Sequence, residues 1–269
     1  MTKDSLGDRM KAYENIERRY LPRRMALIVR LDGVHFHTYT RGFELPYDES
    51  FLNCMRQTAC DVCKNIEGAK LAYTQSDEIS ILITDNDNIE TQPWFGKNLQ
   101  KIVSVTASMA TYFFNKHVSL ACGYTNSRWK ASSGLTNAWE QERMAIFDGR
   151  AFVLPDEEVM NYFEWRQQDA THNSIQSTGQ AYFSHKQLDR KTCNDIQDML
   201  MNVYGINWND MPTSFKRGVC VRKVPCDVPT PEGEYVERMR WRIDEEIPIF
   251  HKHPEYIEQY VYHRERNNA

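Results

Sequence analysis

Short, dense apolar runs alternate along this chain with longer stretches in which apolar residues recur every three or four positions. Met25-Ala-Leu-Ile-Val-Arg-Leu31 is rich enough in Ile, Val and Leu to be a buried strand, and Asp32-Gly33 ends it. From Asp48, a natural N-cap, Phe51, Leu52, Met55, Ala59, Val62 and Ile66 follow helical spacing until Gly68 stops them, which predicts an amphipathic helix. Lys70-Leu-Ala-Tyr73 and Ile79-Ser-Ile-Leu-Ile-Thr84 read as two strands around the polar tetrad Gln75-Ser76-Asp77-Glu78, and Asp85-Asn-Asp-Asn88 closes the second as a turn. The pair should form a hairpin. A second helix is predicted from about Gly96 to His117, with Leu99, Ile102, Val105, Met109 and Phe113 on one face, and Ala151-Phe-Val-Leu154 before Pro155 is a last short strand.

The order β-α-β-β-α-β is that of ferredoxin-like sheets, an α+β class. In that topology the first and third strands are neighbours ~4.8 Å apart, and the turn between strands two and three lies at the C-terminal end of the first. Asp32 and Asp77 are therefore expected to meet at one edge of the sheet. Residues 119 to 149 are polar, with Ser132-Ser133-Gly134, and read as loop-rich. Beyond Asp156, helices are expected over Val159 to Arg166 and Thr192 to Tyr204, giving a mainly helical C-terminal extension. No Gly/Ser-rich or Pro-rich linker divides the chain, so a catalytic core over 1–155, with an N-terminal helix, and an extension over 156–269 packed upon it are predicted.

Composition narrows the partners. At 269 residues and 41% apolar content the chain can bury roughly three quarters of its unfolded surface. The first ten residues hold no signal-peptide core and no apolar stretch of about 18 residues occurs, so a soluble cytoplasmic protein is expected, with no membrane partner. Seven irregularly spaced cysteines argue for a reducing compartment, and Cys60-Asp-Val-Cys63, lacking a second pair, reads as buried thiols rather than half a zinc site. A net charge of −4 does not announce a nucleic-acid binder. Local clusters do carry positive charge: Arg18-Arg19 with Arg23-Arg24, Lys186 with Arg190-Lys191, Lys216-Arg217, Arg222-Lys223, and Arg238, Arg240 and Arg242. Each is either a solvated surface run or a contact for phosphates.

Two readings fit the acidic pair. Asp32-Gly33 and the hairpin tip around Asp77 are ordinary turn sequences. Equally, two carboxylates at one sheet edge can hold Mg²⁺ against a nucleoside triphosphate, because Mg²⁺ is usually bound by one or two carboxylates plus phosphate oxygens. Gly33-Val-His-Phe-His37 adds a glycine that permits close approach and several N–H groups for a phosphate.

Beyond these patterns, Val29-Arg-Leu-Asp-Gly33 with Phe36-His37, Tyr73-Thr-Gln-Ser-Asp-Glu78, Phe147-Asp-Gly-Arg150, Tyr162-Phe-Glu-Trp-Arg-Gln167 and Gly205-Ile-Asn-Trp-Asn-Asp210 resemble, in order, the motifs of the tRNA-histidine guanylyltransferase superfamily. Gly7-Asp-Arg-Met10, Trp165-Arg-Gln-Gln-Asp169 and Asp244-Glu-Glu-Ile-Pro-Ile249 are more similar to its guanylyltransferase-like branch than to the eukaryotic enzyme. The resemblance implies a polymerase palm and a template-dependent 3′-5′ polymerase acting on the 5′ end of tRNA, with ATP activating the 5′-monophosphate and GTP or another nucleoside triphosphate added. It implies Asp32, the Gly33 carbonyl and Asp77 as ligands of two Mg²⁺ ions, with Glu78 in support. It implies a nucleotide lining of Asp32, Gly33, Val34, His35, Phe36, His37, Ser76 and Asp77, and a homotetramer sharing one tRNA. Arg30, Lys101 and Arg150 are candidates to neutralise the triphosphate.

The chain also departs from that pattern. Eukaryotic members carry His-Ile-Asn-Asn-Leu-Tyr-Asn-Thr where Thr171-His-Asn-Ser-Ile-Gln-Ser-Thr178 stands here, so His172 is out of register and reads as a surface or hydrogen-bonded histidine. That change favours repair of 5′-truncated tRNAs over strict tRNA-histidine selection. Leu45 in Phe43-Glu-Leu-Pro46 stands where relatives often carry a lysine, so another basic residue must substitute for its charge. A nucleotide cyclase on the same palm and a non-catalytic tRNA-binding protein are the competing classes.

Overall fold

The computed structural model describes residues 5–123, 134–136, 143–230 and 234–262. Its centre is a six-stranded antiparallel sheet. The strands are β1 (Ala26–Gly33), β2 (Ala69–Gln75), β3 (Glu78–Ile83), β4 (Phe147–Leu154), β5 (Val219–Pro229) and β6 (Tyr235–Asp244), arranged β4-β1-β3-β2-β5-β6. The first four keep the ferredoxin-like order expected from the sequence, and β1 and β3 are neighbours, with Asp32 opposite Glu78. The chain is of the α+β class.

Alternation along the strands sorts the two faces. Leu27, Val29 and Leu31 of β1 and Ile79, Ile81 and Ile83 of β3 are buried against α3 (Glu49–Lys64) and α4 (Leu99–Gly123). Ala26 and Ile28 of β1, with Leu71, Tyr73 and Leu82, face the other way, into a second core under α5 (Asp156–Tyr182) and the segment around Ile247, Phe250 and Ile257. Arg30, Asp32, Glu78 and Ser80 share that second face by register. Helix α3 starts where predicted, with the Asp48 side chain accepting from the Phe51 N–H at 3.0 Å.

Several boundaries differ from the sequence reading. β1 runs through Gly33, so Asp32 lies inside a strand rather than after it. The segment expected to be loop is helix as far as Gly123 and strand again from Phe147, while Ser132 and Ser133 lie outside the described residues. α5 is one helix of 27 residues rather than the short helix expected over 159 to 166. Its buried face includes Arg166, Gln167, Ser174 and Thr178, polar residues that hide the helical period from a hydropathy reading. The C-terminal extension is not only helical, because β5 and β6 prolong the sheet. No helix among the described residues is long and apolar enough to cross a membrane.

Two of the sequence motifs serve this packing. Gln167 is 5% exposed; its amide nitrogen donates to the Pro248 carbonyl at 2.9 Å and its oxygen accepts from the Phe250 N–H at 2.8 Å, pinning the C-terminal segment to α5. Gly205 adopts φ 67 to close the helix Cys193–Tyr204, and Trp208 just beyond it is buried with its indole N–H on Ser174 Oγ at 3.2 Å. Cys60 and Cys63 are buried thiols, as expected, and burial pushes the Cys63 thiol well above its ordinary range.

Candidate active site

The hairpin β2–β3 turns through Ser76 and Asp77, with Gln75 and Glu78 as its closing pair. Ser76 holds φ 51, a left-handed conformation uncommon for a residue with a side chain. This tight turn sets Asp77 against the end of β1, where its carbonyl accepts from the Gly33 N–H at 3.1 Å. Asp32 and Asp77 thus meet at one sheet edge. Burial raises the Asp77 carboxyl above the usual carboxylate range, opposed by hydrogen bonds from its own backbone and from Ser76, and the like charges of Asp32 and Glu78 raise it further.

Cations are distributed unevenly over these acids. Arg30 Nη2 lies 2.9 Å from Asp32 Oδ2 and 2.9 Å from Glu78 Oε2, joining the two carboxylates across β1 and β3. Arg150, opposite Arg30 in the β1–β4 register, approaches Asp32 at 3.8 Å from an exposed position. Arg166 of α5 donates from Nη1 to Glu78 Oε2 at 2.8 Å and reaches Asp169 at 3.3 Å, with its guanidinium 3.7 Å over the Trp165 ring. Ser80 Oγ donates to Glu78 Oε1 at 3.1 Å and lies 2.8 Å from the Tyr162 hydroxyl. Glu78 is thus held from three sides. Burial raises its carboxyl, against the pull of Arg166 and Arg30.

After β1 the chain doubles back through a single turn of helix, α2 (Phe36–Tyr39), entered by His35 at φ 56. The N–H groups of a first helical turn have no partner inside the helix. Phe36 is the anchor, its ring packed 5.1 to 6.1 Å from those of Tyr39, Phe51, Phe114 and Phe147. Gly33 makes room for it, since a Cβ there would fall 2.3 Å from the Phe36 ring. Gly33→Ala is therefore expected to lower stability by about 1–3 kcal/mol, the usual cost of overpacking, and to displace α2 from Asp77. Thermal melts and nucleotide-addition assays on the same preparation check both effects.

Two adjoining cavities flank the hairpin tip. One of about 450 Å³ is lined by Gly33, His35, Phe36, His37, Ser76 and Asp77, with Thr40 and Phe51. The other, of about 460 Å³, shares Thr40, Phe51, Ser76 and Asp77 and continues past Asp32, Leu45 and Asp48 to Asn173 and Ser177 of α5.

Most residues singled out in the sequence therefore gather here: Asp32, Gly33, His35, Phe36, His37, Ser76, Asp77, Glu78, Arg30 and Arg150. Two do not. Lys101 is an exposed residue in the first turn of α4, which packs on the face opposite Arg30, Asp32 and Glu78. Val34 lines neither cavity; it is 37% exposed and its N–H donates to the Ile146 carbonyl. His172 is exposed, with Nδ1 3.2 Å from Cys193 Sγ. The sequence reading passed over Arg166, Ser80 and Tyr162, which brace Glu78; Tyr162 and Arg166 lay inside a recognised motif, the one signal that could have marked them.

Among the described residues no three His, Cys, Asp or Glu side chains form a metal cage. The pair with a backbone carbonyl suits instead Mg²⁺ shared with phosphate oxygens. The fit is supported by charge: Arg30 serves Asp32 and Glu78, whereas desolvated Asp77 forms no ion pair among the described residues.

Fold and site together are those of a nucleotidyltransferase, and comparison with known proteins narrows the class. The family model described as tRNAHis guanylyltransferase (Thg1) matches residues 7–155, more than half of the 269, and the chain belongs to that family. A probable tRNA(His) guanylyltransferase of Dictyostelium discoideum is 27% identical over 236 residues, 83% of this chain and 85% of the relative. Among solved structures, a bacterial tRNA(His) guanylyltransferase (Thg1)-like protein in complex with ATP is 48% identical, covering 96% of this chain and 100% of that one at a TM-score of 0.81. A structure of such a bacterial protein with GTP is 47% identical, with the same coverage and a TM-score of 0.77.

Proposed function

We propose that this enzyme adds nucleotides to the 5′ end of tRNA in the 3′-5′ direction, templated by the opposite strand of the acceptor stem, with 5′-truncated tRNAs as the preferred substrates. A 5′-monophosphate oxygen attacks the α-phosphorus of ATP and pyrophosphate leaves. The 3′-hydroxyl of an incoming nucleoside triphosphate then attacks the activated RNA phosphorus, and AMP leaves. The observation that carries this reading is the desolvated Asp77 carboxyl, set against Asp32 between two cavities that share the hairpin tip. Family membership and the ATP-bound and GTP-bound neighbours support the choice of substrates.

Asp32, Asp77 and the Gly33 carbonyl would hold Mg²⁺. When bound, the metal supplies charge neutralisation for the triphosphate and activation of the attacking hydroxyl. The chain's own groups do the rest. Arg30 fixes the rotamer of Asp32 by holding it and Glu78 together, Arg150 stands where a phosphate would displace it from Asp32, and Gly33, His35, Phe36 and His37 with Ser76 would wall the nucleotide. With Leu45 in place of a lysine, Arg30 is the basic group nearest the acids on the cleft side.

The test is incubation of full-length and 5′-truncated, 5′-monophosphorylated tRNA with Mg²⁺, ATP and each nucleoside triphosphate singly. Extension of the truncated RNA by the nucleotide complementary to its template position is expected. A cyclic nucleotide formed without RNA, or no extended product, sinks the reading.

A further inference from the structure

Helix α5 buries Val159, Phe163, Arg166 and Ala170 beneath it, whereas Trp165, one step round the helix, is 52% exposed. No other tryptophan among the described residues is so open; Trp94 and Trp208 are 9% and 8% exposed, and Trp241 is half-buried. The Arg166 guanidinium lies 3.7 Å over the Trp165 ring. Beside it, the Tyr162 ring stands 6.0 Å away and meets in turn the ring of Phe152 in β4 at 5.7 Å. This chain of rings leads from Trp165 to the β4 edge of the sheet.

At that edge, Asp148, Arg150 and Phe152 stand opposite Asp32, Arg30 and Ile28, on the face that bears the acids. Phe152 is half-buried, but Asp148 and Arg150 are exposed, so the sheet is uncovered at the corner where Asp32 lies. Arg150 Nη2 is 3.8 Å from Asp32 and 3.8 Å from Asp148. The same corner is reached from the helix: Arg166, against the Trp165 ring, donates to Glu78, which stands opposite Asp32 in the β1–β3 register. A single exposed apolar side chain is ordinary on a protein surface, and stacking on Arg166 is one use for this one. A guanidinium covers only part of an indole, however, and Arg166 is already held by Glu78 and Asp169. What remains is a flat apolar ring near an exposed cation. That pairing complements a nucleotide at an RNA end, where an unstacked base takes an aromatic face and a phosphate takes a guanidinium fork.

We infer that Trp165 is the stacking platform for the nucleobase at the 5′ end of the RNA, directing the 5′-monophosphate of that nucleotide to Arg150 and the acid pair. It rests on the reaction proposed above. The platform serves the activation step. Before an incoming nucleotide stacks on the last base pair of the acceptor stem, the outer face of that pair is open, and Trp165 closes it. Trp165 is thereby a binding residue for RNA and not for ATP.

The experiment is a pair of binding titrations on the full chain without nucleoside triphosphate. One uses a 5′-truncated, 5′-monophosphorylated tRNA, the other the same RNA with an abasic 5′-terminal nucleotide, and wild type is compared with W165L and W165F. Loss of base stacking on an aromatic ring costs at least about fivefold in affinity, so W165L should weaken binding of the intact RNA by that much and of the abasic RNA by less than about twofold. W165F, which keeps a smaller ring over Arg166, should fall between, and it carries the comparison if W165L is unstable. In RNA-dependent release of pyrophosphate from ATP, the KM for RNA should rise in W165L while that for ATP stays unchanged. A variant that weakens both RNAs equally, or that raises the KM for ATP, places the action of the ring in Arg166 and Glu78 and overturns the inference. So does a variant that binds both RNAs as wild type does. Wild type that distinguishes the two RNAs through Trp165 yet extends neither overturns the proposed reaction and leaves the platform standing.

Discussion

Asp77→Asn is expected to reduce nucleotide addition about a thousandfold while leaving the metal-free fold at least as stable as wild type. The loss follows from removing one anionic ligand at a site where metal charge is worth several kcal/mol of transition-state stabilisation, each ~1.4 kcal/mol being tenfold in rate. The stability result follows from the sign of the shift. Burial and the neighbouring acids raise the Asp77 carboxyl in the folded protein, so its ionised form costs stability at neutral pH, and that cost disappears as the pH falls through the raised range. Asparagine never bears it. In EDTA the wild type should therefore gain stability on mild acidification relative to the variant, and Mg²⁺ should raise the melting temperature of the wild type more than that of Asp77→Asn. Differential scanning calorimetry with and without Mg²⁺ reads both effects; equal Mg²⁺ responses in the two proteins would refute Asp77 as a ligand. Asp32→Asn is a less clean probe, because it also takes a partner from Arg30.

This juxtaposition was legible in the sequence because three signals agreed. An apolar run ending in Asp-Gly, a polar tetrad between two further runs and the β-α-β-β order together require Asp32 and Asp77 to share an edge. The N-cap at Asp48 marks a helix start that the structure keeps to the residue, and the helix expected over Thr192 to Tyr204 runs from Cys193 to Tyr204 with Thr192 as its N-cap. Lys101 failed for a simple reason: a helical cation can be assigned to a site from its residue type, but only the packing tells which face of the sheet its helix covers.

Strand β6 has a signature in the sequence that its charge pattern conceals. Met239, Trp241 and Ile243 alternate strictly with Arg238, Arg240 and Arg242, a period of two that marks a strand. The arginines read as a charge cluster, and Pro225 and Pro229 weaken the pattern of the partner strand. β6 is an edge strand and most of it is exposed, so little burial reinforces the signal. α5 was cut short for the opposite reason. Its buried positions at Arg166, Gln167, Ser174 and Thr178 are filled by groups that find partners in the fold, and hydropathy alone counts them as surface.

Those polar groups under α5 carry the second large effect. Arg166→Met is expected to destabilise the protein by about 3–5 kcal/mol, the usual cost of removing one partner of a buried ion pair. Arg166 is 6% exposed and Glu78 is 8% exposed, so solvent cannot replace the lost guanidinium. Adding Glu78→Gln to that variant should recover part of the loss, because it removes the buried charge left with one cation fewer; the double-mutant cycle should show a coupling well above ~0.5 kcal/mol. Arg166→Lys should recover less than the native guanidinium provides, since a lysine is a point charge without the fork that spans Glu78 and Asp169. Catalysis should fall by a separate route. With Arg166 gone, Arg30 becomes the sole cation on Glu78 and is drawn toward it, loosening its grip on Asp32. The expected signature is a fall in kcat for nucleotide addition below the melting temperature, largely restored in the Arg166→Met, Glu78→Gln double variant because Arg30 is then free to return to Asp32. Single variants as stable as wild type in urea melts, or a double variant that loses the sum of both single effects, would show that Glu78 and Arg166 act independently and that Arg30 is positioned by something else.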